Sequence, residues 1–278
     1  MLDLSIAWAY YKPLADSCEH LNQHIFMMYH TIAHQVLAIA QEAGKRILAI
    51  GYNSPVMYKS DRSPVTAADA EANAYIVAAL RALTPDIPVI AEENTAEENQ
   101  LIDGTPQFWL VDPLDGTRGF IRGESEYTVN IALIENNQPI GGVIYAPVGD
   151  RSYFTADQNA YKQIGNICQV IHARPIPSDG ITVIASSSHY DQQTREFMDK
   201  LDDVRHVTHC PSSIKFCHIA EGSADLYPRF GKTMEWDTAA GHAIILAAGG
   251  GVTTPEGDSL RYRKKDFINP PFIVTGGR

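Results

Sequence analysis

Two stretches near the start of the chain carry apolar residues at the three- and four-residue spacing of an amphipathic helix. They cover residues 31–51 and 68–83, with a polar loop at residues 61–66 between them. Apolar residues at this spacing share one helix face, so we predict two helices that pack on a common core. Pro85 and Pro88 follow the second pattern and predict its end.

Beyond the second helix the pattern changes to short apolar runs bounded by turn residues, which is typical of strands. The predicted strands cover residues 87–91, 108–111, 127–134, 140–145, 151–155, 181–185, 224–229 and 272–275. Asn136 and Asn137 separate two of them and predict a hairpin. In the second half strands alternate with helical patterns, predicted over residues 191–201, 213–222 and 237–248.

The richest run of turn residues, with two prolines and a glycine, lies at residues 174–180 and is the best candidate linker. We therefore predict an α/β protein with two subdomains. Residues 31–177 form an α+β subdomain with antiparallel pairing, and residues 178–278 form an α/β subdomain. Residues 1–30 fit no clear period and are expected to be an N-terminal extension of unknown role.

Composition and charge argue against several classes of function. The chain has 278 residues, of which 45% are hydrophobic and 20% charged, as in an ordinary globular protein. Its net charge of −11 argues against a groove that holds a nucleic acid polymer by positive charge. No apolar run reaches the ~18 residues of a membrane span, and the start lacks the basic region of a signal peptide. We expect a cytoplasmic protein whose four cysteines are reduced thiols.

Acidic residues recur where predicted elements begin or end. Asp69 opens the second helix region, and Glu92 follows a strand. Asp112 and Asp115 follow the next strand, and Asp237 opens a late helix. Residues at such ends converge on one cleft in many α/β folds, so we expect these carboxylates to meet.

Crowded carboxylates repel one another unless they take up protons or a cation neutralises them. Oxygen ligands favour Mg²⁺, Mn²⁺ or Ca²⁺ over softer metals. Bound cations would turn an acidic pocket into a receptor for phosphate, which reconciles an acidic protein with an anionic substrate. The sequence therefore predicts a divalent-metal site for a small phosphorylated ligand.

These motifs resemble those of the lithium-sensitive, magnesium-dependent phosphatase superfamily that includes inositol monophosphatase. Its members carry an acidic pair, a D-P-[IL]-D-G-[TS] segment and a late W-D-x-x-x-G segment. In this chain they stand at residues 92–93, 112–117 and 236–241, and an upstream S-P-V-T-x-x-D stands at residues 63–69. The resemblance begins near residue 30 and implies a layered α/β/α/β sandwich with the active site between two subdomains.

Within that superfamily the chain is most similar to bacterial 3′(2′),5′-bisphosphate nucleotidases. The similarity lies in residues 212–217, 220–222 and 227–231, which include Lys215 and Arg229. Inositol monophosphatases typically lack both and carry an acid near the position of Arg229. A lysine and an arginine suit a second phosphate on the substrate.

The resemblance implies a phosphatase of sulfur metabolism that converts 3′-phosphoadenosine 5′-phosphate to AMP and phosphate. It implies two or three Mg²⁺ ions, or Mn²⁺, bound by Asp69, Glu92, Asp112, the Leu114 carbonyl, Asp115 and Asp237. Asp69 and Thr117 would orient and deprotonate the attacking water, with help from Glu92. The implied substrate contacts are Glu92, Gly116, Thr117, His189, Ser212, Lys215, Arg229 and Asp237.

Three further expectations accompany this assignment. A monomer is favoured over an oligomer, and peripheral attachment to the inner face of the plasma membrane is left open. The alternative function is an inositol or sugar monophosphatase on the same scaffold. A third candidate, a non-catalytic phosphate-binding protein, is disfavoured because every metal acid and Thr117 are present.

Overall fold

The computed structural model describes residues 19–59, 61–100, 104–186 and 191–277. The first helix, α1 (Glu19–Ile50), begins earlier than predicted, and Tyr29 within it is buried in the core. Residues 1–18 of the proposed extension lie outside the described residues. None of the described helices combines the length and hydropathy that crossing a bilayer requires.

A small antiparallel hairpin follows α1 where the sequence predicted only a loop. It consists of β1 (Val56–Tyr58) and β2 (Pro64–Thr66). The second predicted helix is confirmed as α2 (Ala67–Leu83), which begins directly after β2. Thr66 caps α2, because its side-chain oxygen accepts a hydrogen bond from the N–H of Ala68 at 3.2 Å.

The larger sheet has seven strands that lie in chain order. They are β3 (Val89–Ala91), β4 (Gln107–Asp115), β5 (Thr128–Glu135), β6 (Gln138–Ala146), β7 (Arg151–Ala156), β8 (Asn159–Ile164) and β9 (Ile167–Ile171). A short helix, α3 (Thr117–Ile121), connects β4 to β5. Only β3 and β4 pair in parallel, and the rest of the sheet is antiparallel. The hairpin at Asn136 and Asn137 is confirmed, whereas β8 and β9 were not predicted.

The smaller sheet has five strands in the order β11, β10, β12, β14, β13. They are β10 (Ile181–Ser186), β11 (Val204–Cys210), β12 (Leu226–Arg229), β13 (Gly251–Thr253) and β14 (Phe272–Thr275). The three helices of this half are α4 (Gln192–Met198), α5 (Ile214–Ala220) and α6 (Glu235–Ala247). The sequence predicted all of these elements except β11 and β13.

The elements stack in the predicted α/β/α/β layers because the central strands bury both faces. Along β4, Trp109 and Val111 pack into the core shared with α1 and α2. Phe108 and Leu110 point the other way, into the core formed by α5, α6 and the smaller sheet. Helix α6 lies close against the larger sheet, since a Cβ on Gly142 of β6 would come within 2.6 Å of a backbone oxygen of α6. This packing sets the position of the residues at the start of α6.

The larger sheet ends at Ile171 and the smaller one begins at Ile181. The subdomain boundary at residue 178 stays a prediction.

Candidate active site

Three of the predicted metal ligands come together although they belong to three different elements. Glu92 directly follows β3, Asp112 lies near the end of β4, and Asp237 lies in the first turn of α6. Each offers a carboxylate oxygen, and these oxygens lie within 4.8 Å of one another. Parallel pairing of Ala91 with Val111 brings the two strand-end acids side by side. Three hard oxygen donors at this spacing suit a cation such as Mg²⁺.

A bulge shapes the end of β4 around these acids. Asp112 pairs with Asn130 of β5, and Asp115 pairs with Thr128, so β4 carries one extra residue over this stretch. A bulge bends its strand and redirects side chains, which places acids three residues apart at one cavity. Within it, Asp112 Oδ1 accepts a hydrogen bond from the N–H of Leu114 at 3.1 Å. This hydrogen bond fixes the Asp112 side chain within the bulge.

Asp69 and Thr117 form the predicted pair next to this bulge. Thr66 fixes Asp69 Oδ2 by donating its N–H at 2.8 Å and its hydroxyl at 2.6 Å. The Thr117 hydroxyl lies 2.9 Å from Asp69 Oδ1 and 3.1 Å from the Leu114 carbonyl oxygen. Both contacts use the hydroxyl proton as donor, so the lone pairs of the Thr117 oxygen remain able to accept a hydrogen bond, and Thr117 lines the cavity.

The turn into α3 depends on a glycine. Gly116 has φ 100°, a left-handed conformation that other residues adopt only with strain. This turn brings Gly116 and Thr117 to the wall of the cavity. A residue with a side chain at position 116 would disturb the placement of Thr117.

Most of the predicted site residues line one cavity of about 320 Å³. They are Glu92, Asp112, Leu114, Asp115, Gly116, Thr117, Ser212, Lys215, Arg229 and Asp237. His189 lies outside the described residues, so its predicted role stays a prediction. Asp69 contributes through its hydrogen bond to Thr117.

Crowding makes the carboxylates hard to ionise together. Burial raises the pKa of Asp112 well above its ordinary value, and the charge of Glu92 raises it further. Enclosure raises the pKa of Asp237 in the same way, and the charges of Asp115 and Glu92 add to this. Enclosure also raises the pKa of Asp115, although the nearby Lys215 opposes it. A bound divalent cation would relieve this repulsion, which is the electrostatic reason to expect one here.

Lys59 is a part of the site that the sequence did not predict. Its ammonium nitrogen lies 2.8 Å from Glu92 Oε1 and 2.6 Å from Glu93 Oε1. Burial alone would lower the pKa of Lys59, but the two carboxylates outweigh it and raise the pKa. Burial raises the pKa of Glu93 to about 7, even with the hydrogen bond from Lys59. No motif marked Lys59, because only the unpredicted hairpin of β1 and β2 brings it to these acids.

Two buried cations line the same cavity. Lys215 and Arg229 are only 5% and 6% exposed. The Lys215 ammonium group donates to the carbonyl oxygens of Ser212 and Cys210, the latter at 3.3 Å. Burial lowers the pKa of Lys215, and the charge of Asp115 partly restores it. Ammonium and guanidinium groups form charged hydrogen bonds with phosphate oxygens, so this part of the cavity is suited to an anionic group.

Backbone carbonyls hold the arginine in place. Arg229 donates from Nε to the Gly231 carbonyl at 3.2 Å and from Nη2 to the Lys232 carbonyl at 3.1 Å. These bonds fix the guanidinium in the wall of the cavity. Arg118, whose role the sequence left open, lines the same cavity and is exposed.

Comparison with known proteins agrees with this geometry. The chain matches the model of the inositol monophosphatase family over residues 22–275. The 3′(2′),5′-bisphosphate nucleotidase CysQ of Salmonella typhimurium is 45% identical over 248 residues, which cover 87% of this chain and 98% of the relative.

Solved structures show the same fold. The crystal structure of CysQ from Bacteroides thetaiotaomicron has a TM-score of 0.78 at 38% identity and covers 91% of this chain and 99% of that one. The inositol monophosphatase of Thermotoga maritima has a TM-score of 0.70 at 23% identity, covering 86% and 89% of the two chains.

Proposed function

The chain belongs to the inositol monophosphatase family, and from this premise we propose that it is a 3′(2′),5′-bisphosphate nucleotidase. The reaction is hydrolysis of 3′-phosphoadenosine 5′-phosphate to AMP and inorganic phosphate, which clears a by-product of sulfate activation in sulfur metabolism. One observation carries the proposal most strongly. A cluster of carboxylates and two buried cations, Lys215 and Arg229, face the same cavity. The acids suit metal-bound phosphate, and the cations suit a second phosphate.

The carboxylates of Glu92, Asp112 and Asp237 are the core of the proposed metal site. Asp115 and the Leu114 carbonyl line the same cavity and complete the set of oxygen donors for two or three Mg²⁺ or Mn²⁺ ions. When bound, such ions neutralise charge on the phosphoryl group and make a water molecule more acidic.

Asp69 and Thr117 are proposed to receive the proton of the attacking water. The Thr117 hydroxyl donates to Asp69, so its oxygen can accept a hydrogen bond from water in the cavity. Proton transfer from water to Thr117, and from Thr117 to Asp69, then leaves the water oxygen able to attack phosphorus. Glu92 lines the cavity and helps to position this water.

The backbone N–H groups of Gly116 and Thr117 are proposed to hold the scissile 3′-phosphate at the start of α3. Such groups at the first turn of a helix point outward and are not used by the helix itself. Lys215 and Arg229, with Ser212 and the predicted His189, then bind the nucleotide side and its 5′-phosphate.

An inositol or sugar monophosphatase is the weaker candidate. Such a substrate carries hydroxyl groups where the bisphosphate carries its second phosphate. Lys215 and Arg229 would then have no second phosphate to bind, and the charged hydrogen bonds that favour a bisphosphate would not form.

A panel of substrates tests the proposal. Phosphate release is measured with 3′-phosphoadenosine 5′-phosphate, inositol 1-phosphate and fructose 1,6-bisphosphate, each with and without Mg²⁺ and then with added Li⁺. We expect the highest kcat/KM for the bisphosphate nucleotide, only with Mg²⁺, and inhibition by Li⁺. Equal or faster hydrolysis of inositol 1-phosphate would overturn the substrate assignment. Cytoplasmic location and a monomeric state stay predictions.

A further inference from the structure

One peptide group, between Thr233 and Met234, holds the carboxylate of Asp237. Its N–H, on Met234, donates to Asp237 Oδ2 at 2.8 Å. The hydrogen bond fixes the side chain in one rotamer and occupies one of its oxygens. A carboxylate oxygen of Asp237 also belongs to the cluster with Glu92 and Asp112. The orientation of this peptide group therefore helps to set where Asp237 presents its carboxylate.

Asn269 binds the two peptide groups on either side of Met234. Its backbone N–H donates to the Thr233 carbonyl oxygen at 3.0 Å, which belongs to the peptide whose N–H binds Asp237. Its side-chain nitrogen donates to the Met234 carbonyl oxygen at 2.7 Å. A carbonyl can only accept, so this contact also identifies which end of the Asn269 amide carries the nitrogen. Hydrogen bonds in such a chain polarise and strengthen one another.

The side-chain nitrogen of Asn269 has two more acceptors in the first turn of α6 and just before it. The hydroxyl oxygen of Thr238 lies at 3.0 Å and that of Thr233 at 3.2 Å. Asn269 is only 6% exposed, so these bonds are shielded from competing water. Losing a buried donor of this kind leaves its acceptors unsatisfied.

A second contact ties the same turn to the same C-terminal segment. Glu235 is fully buried and accepts hydrogen bonds from the backbone N–H groups of Arg263 at 2.9 Å and Lys264 at 2.7 Å. The Lys264 ammonium group lies 2.7 Å from the same carboxylate. The start of α6 is therefore held at two points by residues that lie far away in the sequence. Of these two contacts, the one made by Asn269 reaches the peptide group whose N–H binds Asp237.

We infer that Asn269 is a positioning residue for the metal site, acting on Asp237 through the backbone of Met234. This inference rests on the proposed role of Asp237 as a metal ligand. Without the side chain of Asn269 the Met234 carbonyl loses its donor, the Met234 N–H that binds Asp237 is held less firmly, and Asp237 samples rotamers in which its carboxylate turns away from Glu92 and Asp112. Only part of the population then presents a complete donor set, and metal affinity falls by that fraction.

Binding of Mn²⁺ alone, measured by calorimetry on chelator-treated protein without substrate, tests the inference. Asn269→Leu keeps the size of the side chain and removes its donors. We expect the Mn²⁺ dissociation constant to rise about tenfold, at a temperature where circular dichroism shows the variant fully folded. The matched control is Thr155→Val, which removes a buried side-chain hydrogen bond to Gly142 of β6 away from the cavity. Its dissociation constant should stay within twofold of the wild type.

Asp237→Asn in the same experiment distinguishes a failure of the proposed metal role of Asp237 from a failure of the positioning role of Asn269. If this variant binds Mn²⁺ like the wild type, the metal role of Asp237 in the proposed function is wrong. If Asp237→Asn weakens binding but Asn269→Leu does not, the positioning role of Asn269 is wrong. Asn269→Ser, which is smaller and still polar, replaces Asn269→Leu if that variant does not fold, and the same rise is expected.

Discussion

Local hydrogen bonds hold two of the carboxylates that belong to the acidic cluster. Asp112 gives one oxygen to the N–H of Leu114, and Asp237 gives one to the N–H of Met234. Each bond spans only two or three residues, so the chain fixes the side chain locally as the element forms. The packing of β4 and α6 then brings the two carboxylates together. The conformation of single side chains thus sets the geometry of the proposed metal site, so substitutions of these residues should change the binding of metal and substrate.

Asp237→Asn tests the metal assignment through activity. An amide keeps the shape of the side chain but removes the negative charge that the cation needs. We expect kcat at saturating Mg²⁺ to fall on the order of 10³-fold or more, equivalent to about 4 kcal/mol of barrier. Steady-state phosphate release measures this, and near-normal turnover would show that the metal assignment is wrong.

Lys215→Ala tests the second-phosphate contact. Removing this buried ammonium group costs one charged hydrogen bond, about 1.5–3 kcal/mol, so KM for the bisphosphate nucleotide should rise ~10–100-fold. KM for 3′-AMP, which lacks the 5′-phosphate, should change much less. The exposed Lys45 on α1 provides the control, Lys45→Ala, which should alter neither constant. Equal effects of Lys215→Ala on both substrates would remove the argument for a second phosphate.

At the scale of elements, α5 joins the two sheets through Glu221 at its C-terminal end. This carboxylate lies 2.6 Å from the Lys162 ammonium group of β8 and accepts the Tyr153 hydroxyl of β7 at 3.0 Å. Burial alone would raise the pKa of Glu221. Hydrogen bonds from His218, Lys162 and Tyr153 outweigh it and lower the pKa to about 2. The ionised form therefore stabilises the contact between the two halves.

Glu221→Gln should reduce the free energy of unfolding by about 2–3 kcal/mol at pH 7. The folded pKa lies below the ordinary value of 4.5, so this stability is fully present above pH 4.5 and is lost as the pH falls towards 2. Urea unfolding at pH 7 and pH 3 should show a gap between wild type and variant that shrinks to less than half. The exposed Glu42→Gln is the control, since its surface ion pair with Arg46 contributes little. An equal gap at both pH values would contradict the role of the charge.

Several strands that the sequence did not predict carry weak patterns, for physical reasons that differ from one to the next. Strands β9 and β11 lie at sheet edges and are exposed along most of their length, so they show no apolar alternation. The hairpin of β1 and β2 has three-residue strands and polar neighbours that are typical of a loop. Buried elements such as β4 and α6 carry strong periodic patterns and were predicted correctly.

At the scale of the whole molecule, repulsion between the carboxylates of the cavity lowers the stability of the folded protein when no cation is bound. The carboxylates that converge there come from both halves of the chain, and their mutual repulsion raises their pKa values in the folded protein. The motifs allowed these acids to be predicted from the sequence, because each follows a recognisable strand or opens a helix. Lys59 and Asn269 could not be predicted, since only tertiary packing brings them near Glu92 and Asp237.

The metal-free protein should lose stability as the pH rises above 4. Enclosure raises the folded pKa of Asp237 above its ordinary value of 3.8, so the folded state binds more protons than the unfolded state and stability falls with rising pH. In chelator, Asp237→Asn should therefore become more stable than the wild type, with a gap in Tm that widens from pH 5 to pH 8. Saturating Mg²⁺ should stabilise the wild type and close the gap. Parallel curves for the two proteins would contradict this electrostatic account.

The most direct test of the central claim is the position of anomalous scattering in a crystal of the protein soaked with Mn²⁺. The account predicts a peak within coordination distance of carboxylate oxygens of Glu92, Asp112 and Asp237, and no such peak in crystals of Asp237→Asn. Ordered Mn²⁺ elsewhere on the protein, with these three carboxylates left without a bound ion, would contradict it.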